Sequence, residues 1–134
     1  MSNNVDVLII DDQPGVRRLL LEALAEEGLA VKAAGSGAEG LQMLAACRPY
    51  LVLLDMKMPG MNGVETLQEI RRHDMTLPVV MMSAYGDLEV MEQTRHLEVT
   101  HYLSKPFDLD EVRLLVRTVL AERLPVKGRQ ADIG

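Results

Sequence analysis

Three carboxylates, one hydroxyl and one ammonium stand out by where they fall in the chain: Asp11, Asp12, Asp55, Ser83 and Lys105. Val7-Leu8-Ile9-Ile10 leads into Asp11-Asp12, Leu51-Val52-Leu53-Leu54 into Asp55, and Pro78-Val79-Val80-Met81-Met82 into Ser83. Lys105 follows a weaker run, Thr100 to Leu103. Three converging carboxylates repel one another and need a proton or a cation between them. A hard divalent ion such as Mg2+, with Mn2+ as a substitute, takes oxygen ligands of this kind and keeps several waters. Asp12 and Asp55 suit direct ligation and Asp11 ligation through water, with the backbone carbonyl of Lys57 as a further ligand. One carboxylate is then available as a nucleophile. Phosphoryl transfer asks mainly for positioning and charge neutralisation, and the Lys105 point charge and Ser83 hydroxyl suit the phosphoryl oxygens. The expected nucleophile is Asp55.

Each residue alone has a plainer reading. An Asp-Asp pair is commonly a turn or helix N-cap, and an Asp ahead of Met-Lys-Met-Pro-Gly is commonly turn chemistry. Five suitable residues at the ends of four apolar runs make a pattern that the single readings do not explain.

The apolar runs must become strands for these side chains to meet. Short continuous runs suit strands buried on both faces of a parallel sheet. Leu29 to Ala33 is a further, weaker candidate. Helical spacing lies between them: Val16, Leu19, Leu20, Ala23 and Leu24; Ala38, Leu41, Leu44 and Ala45; Val64, Leu67 and Ile70; and Leu109, Val112, Leu115, Val116 and Val119. Pro14 suits a first helical position, Gly28 the residue just past a helix end, and Asp108 an N-cap. Asp87 to His96 has helical propensity but poor amphipathicity, which predicts a loosely packed fourth helix. Five βα units predict an α/β fold, a parallel sheet with helices on both faces and right-handed crossovers. In such sheets ligands bind beyond the carboxyl ends of the strands, where the five residues fall.

Composition bounds the partners. The chain has 134 residues, the size of one domain. Its net charge of −6 and lack of a basic run argue against direct nucleic-acid binding. The single cysteine, Cys47, excludes an internal disulfide. No apolar run approaches the roughly 20 residues that span a bilayer, and Met1 to Asn4 lacks a basic segment like that of a secretory signal. The expectation is a cytoplasmic protein without membrane contact. Residues 1–122 are expected to form the domain and 123–134 a frayed tail.

At this point the motifs resemble a known family. Ile10-Asp11-Asp12, Leu53 to Gly63, Met82-Ser83-Ala84-Tyr85-Gly86 and Tyr102-Leu103-Ser104-Lys105-Pro106-Phe107 are similar to the receiver domains of bacterial two-component response regulators, over roughly Val5 to Leu120. The resemblance implies a flavodoxin-like (βα)5 fold with strand order 2-1-3-4-5. It implies Asp55 as phosphoacceptor, Asp11 and Asp12 as the magnesium-holding pair, Ser83 and Lys105 as phosphoryl contacts, and a cis peptide at Lys105-Pro106. Ser83 and Tyr102 take the places of the conformational switch, although Tyr102 also reads as a half-buried strand aromatic.

Asp11-Asp12-Gln13, Asp55-Met56-Lys57, Ala84 to Leu88 and Lys105 to Arg113 resemble, more closely, the single-domain receivers of sporulation phosphorelays. That implies a sensor histidine kinase as donor, a histidine phosphotransferase as acceptor, an aspartyl-phosphate phosphatase as a further partner, and no output domain. Gln13, Gly15, Val16, Arg18, Tyr85, Pro106 and Phe107 would line the partner surface. A similar pattern occurs in receivers of enhancer-binding transcription factors, so a receiver of a longer DNA-binding regulator stays open. Three departures stand out: Glu98-Val99 where receivers often carry Gly-Ala, Tyr102 where the sporulation receivers tend to have histidine, and Asn62 where Asp is usual.

Other chemistries fit less well. Aspartate-nucleophile phosphatases resemble this pattern but place a second Asp two residues after the first, where this chain has Lys57. A flavodoxin-like FMN site would find Asp11-Asp12 repelling its phosphate. No turnover beyond self-phosphorylation and autodephosphorylation is expected. Lys57 and Tyr85, two residues past Asp55 and Ser83, are large enough to cover the pocket mouth and slow hydrolysis; the alternative is that both point into solvent.

Overall fold

A computed structural model of the chain describes residues 5–84 and 88–123. The elements alternate as expected: β1 (Val7–Ile10), α1 (Pro14–Ala25), β2 (Val31–Ala34), α2 (Gly37–Cys47), β3 (Leu51–Asp55), α3 (Gly63–His73), β4 (Val79–Ala84), α4 (Leu88–Thr94), a 3-10 turn (Arg95–Leu97), β5 (His101–Lys105) and α5 (Leu109–Arg123). All four strand pairings are parallel and the order is β2-β1-β3-β4-β5. Among the described residues no helix is long and apolar enough to cross a membrane. Arg123, expected to begin the tail, is the last residue of α5; residues 124–134, Met1 to Asn4 and Tyr85 lie outside the described residues.

The sheet has a core on each face because strand side chains alternate. Val7, Ile9, Leu51, Leu53, Val80 and Met82 pack with Leu20 and Leu24 of α1 and Val112 and Val116 of α5. Leu8, Ile10, Val52, Leu54, Val79 and Met81 pack on the other face with Leu67 and Ile70 of α3. Strands β1 and β3 are buried along their whole length, which is why they read as continuous apolar runs. The outer strands β2 and β5 are mixed in burial, and correspondingly gave weaker signals.

Local chemistry sets the boundaries. Pro14 stands in the first turn of α1, where its missing N–H costs nothing. Gly28, expected immediately after α1, lies farther on: the helix ends at Ala25, and Gly28 takes φ +84 beyond Glu26 and Glu27. Asn62 and Glu65 form a reciprocal capping box at the start of α3. Asp108 Oδ1 accepts the Asp110 N–H at 2.8 Å ahead of α5, as an N-cap would. The fourth helix is short and gives way to the 3-10 turn at Arg95.

Candidate functional site

The parallel register brings the carboxyl ends of β1, β3, β4 and β5 to one edge. Ile10 pairs with Leu54, Asp55 with Met82, and Ala84 with Lys105. One oxygen from each of Asp11, Asp12 and Asp55 lies within 4.8 Å of the others. Asp11 and Asp55 are buried and Asp12 is half-buried. Ser83 is buried beside them, and with Asp12, Asp55 and Lys105 it lines an open cleft of about 550 Å³.

The Asp11 carboxylate is fixed on both oxygens. Oδ1 accepts the Gln13 N–H at 2.9 Å, and Oδ2 accepts from Lys105 Nζ at 2.9 Å. Lys105 Nζ also donates to Asp55 Oδ1 at 3.3 Å and to Gln13 Oε1 at 3.3 Å. A longer contact, 3.4 Å, joins the Lys57 N–H to the same Asp55 oxygen.

The charges do not cancel. Burial pushes the Asp55 carboxyl up, the neighbouring Asp11 charge pushes it further, and Lys105 only partly opposes them, leaving it at about 6. Burial also works against the Lys105 cation, but the hydrogen bond that it donates to Asp11 and the charges of Asp55 and Asp11 outweigh it and raise its pKa. One ammonium is therefore shared between two buried carboxylates and sits closer to Asp11. The pocket is short of positive charge, and its donors are oxygens. This fits a hard divalent cation of the magnesium type held by Asp11, Asp12 and Asp55.

The remaining expected residues divide. Gln13, Val16, Lys57, Pro106 and Phe107 line the cleft. Gly15 is exposed on the first turn of α1 but does not line it, and exposed Arg18 is paired with Glu22 at 3.1 Å. Lys57 is exposed at the cleft; Tyr85, expected to share its role, lies outside the described residues. The Lys105-Pro106 peptide is cis. Tyr102 is half-buried on β5, and its hydroxyl lies 2.5 Å from that of Thr94, which is buried and bonds to the Val90 carbonyl at 2.9 Å.

Leu19 also lines the cleft and is 48% exposed, an apolar side chain turned outward from α1. Its helical spacing from Val16 and Leu20 reads as core, so the sequence pattern alone placed it inside.

Comparison with known proteins settles the family. The model of the response regulator receiver domain matches residues 7–117. This chain belongs to that family. Sporulation initiation phosphotransferase F of Bacillus subtilis (strain 168) is 41% identical over 117 residues, covering 87% of this chain and 94% of that protein. The DNA-binding transcriptional regulator NtrC of Escherichia coli (strain K12) is 37% identical over 115 residues; the match covers 86% of this receiver but only 24% of NtrC. The crystal structure of the receiver domain of NtrX from Brucella abortus superposes with a TM-score of 0.81 at 30% identity, over 87% of this chain and 98% of that one.

Proposed function

We propose that this receiver takes a phosphoryl group from a sensor histidine kinase onto Asp55 and passes it to a histidine phosphotransferase. The observation that carries the first step is the convergence of Asp11, Asp12 and Asp55 within 4.8 Å beside Lys105 and Ser83. An Asp55 carboxylate oxygen attacks phosphorus, the O–P bond forms, and the P–N bond of phosphohistidine breaks. The imidazole nitrogen leaves with the electron pair of that bond. Asp55, with a pKa of about 6, is largely ionised at neutral pH and ready to attack. Lys105 is placed to exchange its Asp55 contact for a phosphoryl oxygen, and Ser83 to donate its hydroxyl to another. Asp11, Asp12, Asp55 and the Lys57 carbonyl would hold Mg2+, which would supply the charge neutralisation that transfer to a carboxylate requires. The protein's own chemistry is limited to this self-phosphorylation and to loss of the phosphoryl group.

Onward transfer rests on the likeness to sporulation initiation phosphotransferase F, which this chain matches over nearly that protein's whole length. The cleft agrees with it: Val16, Leu19, Pro106 and Phe107 surround the acidic pocket with apolar surface for a docking partner. The likeness to NtrC supports a second reading, in which the domain controls a DNA-binding output.

Incubation with Mg2+ and acetyl phosphate, followed by intact-mass measurement, tests the acceptor. A single phosphoryl adduct that Asp55→Ala abolishes is expected; no adduct, or one that survives the substitution, overturns it. Adding a histidine phosphotransferase to the phosphorylated protein then separates the two readings. Rapid loss of the adduct with gain of the same mass on the phosphotransferase supports the relay, and retention favours the second.

A further inference from the structure

Asp12 accepts no hydrogen bond from any described residue, unlike Asp11 and Asp55, so among the described residues it is the direction of its own backbone that aims its carboxylate. That backbone is tied down from an unexpected side. Arg17 Nη1 donates to the carbonyl oxygen of Asp11 at 2.8 Å. This carbonyl belongs to the peptide plane that joins Asp11 to Asp12, so its direction sets where Asp12 leaves the chain. The Asp11 N–H is already held by the Ala34 carbonyl at 3.1 Å. Strand pairing and Arg17 thus grip the two sides of Asp11.

The guanidinium reaches this carbonyl across the β2–α2 loop. A Cβ built on Gly35 would lie 3.0 Å from Arg17 Nη1 and 3.4 Å from its Cζ. Gly35 leaves the channel open, and its own N–H is fixed by Glu39 Oε1 at 2.8 Å. Arg17 is half-buried and forms no ion pair among the described residues, and its Nη1 donates to backbone rather than to a carboxylate.

We propose that Arg17 is a positioning residue for the metal pair: it fixes the Asp11–Asp12 peptide so that Asp12 presents its oxygen beside those of Asp11 and Asp55. This rests on the reading of the acidic pocket as a divalent-cation site. Two effects of removing Arg17 oppose each other. Loss of a nearby positive charge would tighten cation binding. Loss of the anchor would weaken it, and loss of such outer partners typically weakens metal affinity about 10–100-fold. A fixed hydrogen bond to the ligand's own peptide makes the second effect the larger.

Mn2+ binding to the unphosphorylated full chain, measured by electron paramagnetic resonance, tests this in wild type, Arg17→Met and Arg17→Lys, with thermal melting in EDTA as the control for folding. The expected result is a dissociation constant raised about tenfold in Arg17→Met and by a smaller factor in Arg17→Lys. The Mg2+ concentration for half-maximal labelling by acetyl phosphate should rise in parallel, while the rate at saturating Mg2+ stays within about twofold. Unchanged or tighter Mn2+ binding in Arg17→Met overturns the proposal. Should Arg17→Met not fold, Arg17→Lys decides: it keeps the charge, so wild-type affinity overturns the proposal and weaker affinity supports it. Wild-type protein that binds no Mn2+ would instead sink the reading of the pocket itself.

Discussion

Oδ1 of Asp55 stands 3.3 Å from the ammonium of Lys105, yet the Asp55 carboxyl titrates at about 6 rather than in the ordinary carboxylate range. Burial and the charge of Asp11 outweigh the ion pair. Between its ordinary value of 3.8 and about 6, the folded state therefore holds a proton on Asp55 that the unfolded chain has already released. Stability conferred by this group is fully present below the unfolded value and is lost as pH rises towards about 6. In EDTA, wild type should lose about 2–3 kcal/mol relative to Asp55→Asn between roughly pH 4 and pH 7. Urea unfolding of both proteins across that range checks the difference, and parallel curves would refute it. Saturating Mg2+ at neutral pH should stabilise wild type more than Asp55→Asn, because binding to the folded state adds to its stability.

Gly63 opens α3 against the strand that carries Asp55. A Cβ there would come within 2.6 Å of Met56 Cα and still closer to the Asp55 carbonyl oxygen. Both are backbone atoms, which cannot rotate aside. Gly63→Ala should cost about 3 kcal/mol and slow labelling of Asp55 by acetyl phosphate, because the backbone that must yield is that of the acceptor. Thermal melting and the labelling rate, measured on the same sample, check both parts.

How much of this was legible depends on what kind of partner each residue has. Asp11, Asp55 and Ser83 could be placed because buried strands β1, β3 and β4 announce themselves as apolar runs, and the strand end then gives the site. Edge strands β2 and β5 are half-exposed, so their limits came out less well, and Lys105 was located by motif more than by pattern. Leu19 is not legible as a cleft residue, because helical spacing does not say which apolar residue faces a cleft instead of the core. The contact of Arg17 with the Asp11 carbonyl was invisible for a different reason. Its acceptor is backbone, and backbone acceptors carry no residue identity to read.

Arg71 shows the same blindness with a larger structural consequence. This buried guanidinium donates to the carbonyls of Leu97 at 2.7 Å, Glu98 at 2.8 Å and Asp74 at 3.0 Å, fastening α3 to the turn before β5. Burial lowers its pKa against the raising effect of Asp74 and Glu98, and an arginine remains charged at neutral pH. Arg71→Met keeps the stem but leaves three carbonyls without this donor, and should cost about 3 kcal/mol. Urea unfolding gives the magnitude. Hydrogen exchange gives the place: the Thr100 amide, bonded to the Val79 carbonyl at 2.9 Å, should lose protection first.

The carbonyl that accepts from Arg71 Nη2 belongs to Glu98, which has φ 56 and ψ 51. That is the left-handed region, where a side chain costs roughly 1–2 kcal/mol and glycine costs little. Receivers often carry glycine at this place, and Glu98 here takes a conformation that glycine adopts at little cost. The Glu98 side chain is exposed and contributes to Arg71 only through a screened charge. Glycine would relieve the strain, and part of that gain would be offset by the greater freedom of glycine in the unfolded chain. Glu98→Gly should therefore stabilise the protein by about 0.5–1 kcal/mol. Urea unfolding of Glu98→Gly beside Glu98→Ala separates the causes. If the backbone decides, glycine gains and alanine stays near wild type. If the carboxylate matters more than its conformation, both variants lose stability together, and the account of this turn given by φ is wrong.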